Sequence, residues 1–209
     1  MNISGRSIES IIGDFYNITL TRNERKRLDG LNVRIERKDY RVTKFFPFKN
    51  FSTKEDTLKA AIECRNTHYQ SAGFPPFLCR QPAQGIAECA KSPTGWHGIR
   101  IREKKDSRRK STRKHISFAC PVAETGAITT KDIPLSKFDE NEALALKEAI
   151  KIKAECVDKY NRIVPVFNDL IMKSVEAACM TELRTLNPTI QYVRNNVPRL
   201  WEQAFRIVK

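Results

Sequence analysis

A motif that occurs twice, 87 residues apart, constrains this chain more than any other feature. Thr43-Lys44-Phe45-Phe46-Pro47-Phe48-Lys49-Asn50-Phe51 and Thr130-Lys131-Asp132-Ile133-Pro134-Leu135-Ser136-Lys137-Phe138 both spell T-K-x-apolar-P-apolar-x-x-F. A second echo follows each copy, Leu58-Lys59-Ala60-Ala61-Ile62 against Leu146-Lys147-Glu148-Ala149-Ile150. Such self-similarity implies two structural units of one design. A chain of 209 residues has room for both, each with its own apolar core.

The residues around the motif alternate at the period of a strand. Ile99 and Ile101 interleave with Arg100 and Arg102, so the isoleucines share one face of a strand and the arginines share the other. A basic turn over Lys104 to Lys114 leads to a second strand from His115 to Cys120, and Gly126 leads to a third from Ile128 to Leu135. Asp139 and Glu142 stand at capping-box spacing before a helix that Pro165 is expected to end. The first copy fits the same template. Its strands fall near Ile18 to Thr21, Asn32 to Glu36 and Tyr40 to Phe48, with a basic turn over Arg22 to Arg27 and a tight turn at Lys38-Asp39. Ser52 and Glu55 suggest the cap of the helix that carries Leu58, Ala61, Ile62 and Arg65. Three short strands cannot bury a face alone. The helix is therefore expected across one side, over Val33, Ile35, Phe46 and Phe48, leaving the other side to Arg34, Arg41 and Thr43.

The expected class is α+β, with two repeats of a three-stranded antiparallel sheet packed on one helix and a helical C-terminal extension. The boundaries read as 1–72 for the first repeat, 73–92 for a linker, 93–162 for the second repeat and 163–209 for the extension. Pro75-Pro76 stiffens the linker, whose Phe74 and Phe77 are expected to dock on one repeat. The extension carries two apolar helical patterns separated by Asn187-Pro188, read either as a cap over the second repeat or as a homodimerisation element.

Charge singles out a partner class. The formal net charge is +14, and nearly all of it lies in two stretches: residues 22–49 hold ten Lys/Arg against four Asp/Glu, and residues 95–118 hold nine against two. One basic segment per repeat points to a polyanion. The six cysteines form no C-x-x-C pair and the three histidines stand at no ligand spacing, so no metal or other cofactor is expected. No apolar run approaches membrane-spanning length and no leader is evident, so a cytoplasmic, nucleoid-associated protein with reduced thiols is expected.

The strand order, the opening Gly95-Trp96-His97-Gly98-Ile99, the proline junction and the A-x-x-x-R/K pattern of Ala61 to Arg65 and Ala149 to Lys153 together resemble AP2-like DNA-binding domains, in the tandem form of bacterial, phage and mobile-element proteins. The resemblance spans about residues 13–70 and 93–160. It departs in the first copy, which lacks the glycine doublet around Asp14 to Asn17. It implies a sheet lying in the DNA major groove, with Arg34, Arg41, Arg100, Arg102 and His115 toward the bases and Trp96 as a further candidate. Alongside them, Thr19 and Thr43 lie on the same faces. Arg22, Lys26, Arg108, Arg109 and Arg113 are expected at flanking phosphates.

The function so implied is a non-enzymatic, sequence-specific double-stranded DNA-binding regulator, in the manner of a repressor. Two alternatives remain open: a recognition module descended from a homing endonuclease or integrase, and a protein-binding inhibitor or adaptor. Nuclease chemistry would need a metal-binding acidic or histidine cluster, and the sequence offers none in a recognisable motif.

Overall fold

The computed structural model describes residues 7–37, 40–73, 78–106 and 111–209. In chain order its elements are a short helix α1 (Ile8–Ile11), strands β1 (Ile18–Asn23), β2 (Leu28–Arg37) and β3 (Tyr40–Pro47), helix α2 (Lys54–Ser71), strands β4 (Ile99–Asp106), β5 (Ser111–Pro121) and β6 (Ile128–Pro134), the long helix α3 (Glu142–Thr185), and helices α4 (Ile190–Asn195) and α5 (Val197–Val208). The strands make two antiparallel sheets, β1-β2-β3 and β4-β5-β6. The chain divides into two compact units, Met1–Arg80 with Phe167–Leu200, and Gln81–Val166 with Trp201–Lys209. The expected boundary at residue 162 thus falls inside α3, and the C-terminal helices are divided between the units.

In the first unit α2 lies on one face of the sheet. Ile18, Leu31, Val33, Ile35 and Phe46 from the strands and Leu58, Ala61 and Ile62 from the helix are all buried. Phe48 is only half-buried. Ile8, Ile11, Ile12 and Phe15, on α1 and just after it, are buried in the same unit, as are Phe167, Ile171 and Val175 of α3. Each buried aliphatic or aromatic side chain contributes about 1.5–3 kcal/mol, which is what a three-stranded sheet needs from outside itself. The helix begins one residue later than the sequence suggests. Thr53 and Asp56 make the capping box: the Thr53 hydroxyl accepts from the Asp56 amide at 3.0 Å, and the Thr53 amide donates to the Asp56 carboxylate at 3.1 Å. Ser52 and Glu55 have the same chemistry, so the pattern alone leaves the register free by one.

The second unit repeats the arrangement around Ile99, Ile116, Phe118, Cys120, Leu135, Ala145 and Ala149, with Trp96, Ile101, Ile133 and Phe138 against them. Its strands are longer than expected. β4 continues through Lys104 to Asp106 and β5 starts at Ser111, so most of the stretch read as a basic turn is strand. The cap of α3 also differs, because Asp139 sits in the left-handed region at φ +51° and Asn141 accepts from the Leu144 amide at 3.2 Å instead. Pro165 does not end the helix. A proline inside a helix costs about 3 kcal/mol; Ile163 and Val164 before it and Phe167 and Ile171 after it are each buried. From α5, Trp201 is buried beside Tyr160 with ring centroids 5.1 Å apart, and its indole N–H donates to the Ala123 carbonyl at 2.8 Å. Gly126, at φ +68°, lies under that indole, where a Cβ would come within 2.7 Å of the ring.

The registers make the two sheets superposable on paper. Leu31 faces Leu20 and Phe46, and Ile116 faces Ile101 and Ile133. Hence Ile18 corresponds to Ile99, and the residue before each takes a positive φ, Asn17 at 60° and Gly98 at 70°. Asparagine tolerates this conformation better than most residues, so the first copy retains the turn without the glycine. One residue further back, Tyr16 corresponds to His97. A buried cation from the helix donates to the carbonyl of each: Arg65 to Tyr16 at 3.2 Å, and Lys153 to His97 at 2.8 Å. This contact is what the repeated A-x-x-x-R/K pattern builds.

Candidate nucleic-acid interface

Strand alternation assigns every side chain of each sheet to the helix face or the outer face. In the first sheet Thr19, Thr21, Asn32, Arg34, Glu36, Arg41, Thr43 and Phe45 share the outer face. Lys44 lies opposite Val33 and so belongs to the helix face, with its ammonium over the Phe46 ring. In the second sheet Arg100, Arg102, Lys104, Arg113, His115, Ser117, Ala119, Thr130 and Asp132 are on the outer face, and Lys131 is on the helix face.

The arginines expected at a reading surface are solvent-exposed in both units, but their surroundings differ. Arg34 and Arg41 both reach Glu36, at 2.6 and 2.5 Å, with about 65% and 75% of their side chains exposed. The hydrogen bond from Arg34 and the charge of Arg41 hold the Glu36 carboxyl below the usual carboxylate range. One carboxylate between two guanidiniums leaves a net charge of +1 where the sequence suggests +2. Arg100 and Arg102 are exposed and make no ion pair with any described residue. Two residues further along the same strand face, Lys104 binds Asp132 at 2.6 Å. The Lys104 hydrogen bond, aided by one from Ser117, holds the Asp132 carboxyl low.

The remaining expected residues divide. Thr19 and Thr43 are exposed on the outer face, and the Thr19 hydroxyl donates weakly to the Asn32 carbonyl at 3.4 Å. Arg22 is bound by Glu9 at 3.1 Å and by Asp29 at 3.2 Å, so its charge is engaged twice within its own unit. Glu9 is also the partner of Lys54, whose hydrogen bond is the main cause of its carboxyl falling to about 2. Lys26 is exposed in the β1–β2 turn. Arg113 is exposed on the outer face opposite Lys104. His115 is half-buried opposite Arg102 and Pro134, and its Nδ1 has no hydrogen-bond partner among the described residues. Arg108 and Arg109 lie outside the described residues, as do Lys38, Asp39, Phe74 and Phe77. Trp96 packs against the second core.

Glu36, Lys104 and Asp132 belong to these surfaces and are not among the residues the sequence singles out for binding. The signal for each was present: Glu36 is two residues from Arg34, Lys104 two from Arg102, and Asp132 one from inward-facing Ile133. Among the described residues no three His, Cys, Asp or Glu side chains gather as a metal site. Nor is any helix among them long and apolar enough to cross a membrane. Compared with family models, with curated proteins and with solved structures, the chain matches none.

Proposed function

We propose that this protein is a sequence-specific double-stranded DNA-binding protein of the AP2-like type, acting in transcriptional control without catalysis and reading the major groove with a basic β-sheet face. The observation that carries the reading is the exposed row of Arg100 and Arg102 on the outer face of the second sheet, free of carboxylate partners among the described residues. A major groove about 12 Å wide admits a β-ribbon, and an unengaged guanidinium there can either neutralise a phosphate or fork onto guanine O6 and N7. The order of three strands and a helix in both units, with the same proline junction and the same helix cation on the carbonyl before the first strand, supports the family reading.

The test is selection of bound duplexes from a random pool, followed by mobility shifts of the recovered site against an unrelated duplex at several salt concentrations. Enrichment of a defined motif, with log affinity falling by about 0.9 per neutralised phosphate for each unit of log salt, is the expected result. A palindromic motif would add that two copies bind together. Equal affinity for every duplex would overturn sequence-specific recognition.

A further inference from the structure

Among the described side chains of the second sheet's outer face, Asp132 is an anion surrounded by cations, and phosphate affinity gives no reason for it. It stands directly opposite Ser117, which in turn stands opposite Arg100, so the three form one row across β4, β5 and β6. The fold does not require a carboxylate there. By the shared register the same place in the first sheet is held by Phe45, opposite Asn32. Nor is the carboxylate loose, since Lys104 binds it at 2.6 Å while about a quarter of the side chain remains exposed. A carboxylate has about four acceptor positions, so these contacts leave it able to accept one more hydrogen bond from outside.

Resting on the duplex-reading proposal above, we infer that Asp132 is a specificity-determining residue that accepts a hydrogen bond from the exocyclic amino group of a cytosine, while Arg100 in the same row donates to a guanine. Carboxylates pair with the cytosine N4 amino group and arginine with guanine O6 and N7 in the major groove. Lys104 holds the carboxylate in place and lowers its repulsion toward the backbone. The ends of the row are two strand spacings apart, about 10 Å, and base pairs rise about 3.4 Å each. The two base pairs read therefore lie within about three steps of each other. A negative group on the reading face also penalises every duplex that offers no donor opposite it, which is discrimination by repulsion.

The experiment compares the full chain, Asp132→Asn and Arg100→Ala by selection from one random duplex pool, with circular dichroism to show that each variant is folded. Asp132→Asn is expected to make one cytosine position degenerate, with roughly 5- to 100-fold less discrimination there. It should also bind random duplex more tightly than the native chain. The position relaxed by Arg100→Ala should lie within about three base pairs. A motif that Asp132→Asn leaves unchanged, or a uniform loss of binding to all duplexes by the folded variant, overturns the role of Asp132 while the duplex reading stands. Failure of the native chain to enrich any motif overturns both.

Discussion

In the first sheet Arg34 and Arg41 converge on Glu36, whereas in the second Arg100 and Arg102 stand on the outer face with no described carboxylate bound to them. The registers sharpen this contrast. Arg100 and Arg102 correspond to Thr19 and Thr21, while Arg34 and Arg41 correspond to Ala119 and Ile128. The two units thus share a backbone plan and a core but not a charge pattern. Repetition of a fold has here been separated from repetition of a site: the helix faces are similar because packing demands it, whereas most outer-face side chains are exposed and so less constrained.

The two helix cations offer the largest effect with which to press the comparison. Arg65 is fully buried and paired with Glu182, whose carboxylate also accepts from the amides of Thr189 and Ile190 at 2.7 Å. Lys153 fills the equivalent place with a backbone carbonyl and no described carboxylate partner, and burial pushes its ammonium pKa down. Removing one partner of a buried ion pair costs about 3–5 kcal/mol. Arg65→Met should therefore destabilise the protein by that amount in denaturant unfolding, and Lys153→Met by about 1 kcal/mol, the value of one hydrogen bond. Equal losses would show that the two cations do the same work.

The outer faces come next in size. Arg100→Ala or Arg102→Ala should each cost about 1–3 kcal/mol of binding to the selected site and relax specificity at one position, as read by competition mobility shifts. A uniform loss across all duplexes would mark either residue as a phosphate anchor. Glu36→Gln should act in the opposite direction, releasing Arg34 and Arg41 and steepening the salt dependence of binding by up to about one unit of slope. No change in slope would mean that the first face stays away from the nucleic acid.

The smallest expected effect is acid sensitivity. The carboxyls of Glu9, Glu36 and Asp132 all lie below their ordinary values in the folded protein, through bonds to Lys54, Arg34 and Lys104 respectively. A lowered carboxyl stabilises the fold above its unfolded value and loses that contribution as pH falls toward its folded one. Stability should then be level from pH 7 to about 4.5, and the share due to Glu9 should fade between about 4.5 and 2, by under about 1 kcal/mol for a solvent-accessible pair. Glu9→Gln should flatten this limb in thermal unfolding followed across pH.

Much of this structure could be read from the residues. Alternation at Ile99 to Arg102 and at Asn32 to Glu36 fixes which side chains face the helix, because the period of a strand is two. The repeated proline motif marks the third strand of each sheet, and the A-x-x-x-R/K pattern marks the helix contact. What escaped had local competitors. Ser52 and Thr53 can both cap, as can Asp139 and Asn141, so the capping residue was open by one or two places. Pro165 is a helix breaker by its chemistry, and its place inside the continuous helix α3 is not displayed by any local pattern. The engagement of Arg22 by Glu9 and Asp29 joins residues 13 and 7 apart through folding, which no linear pattern displays.

The most direct measurement is a paired mobility-shift titration on the selected duplex and on a scrambled one, comparing the native chain with Arg100→Ala/Arg102→Ala and with Arg34→Ala/Arg41→Ala. If the second sheet reads the sequence, the first double variant binds both duplexes alike and weakly, while the second keeps its preference for the selected site. Retained discrimination in Arg100→Ala/Arg102→Ala, or its loss only in Arg34→Ala/Arg41→Ala, would contradict the account.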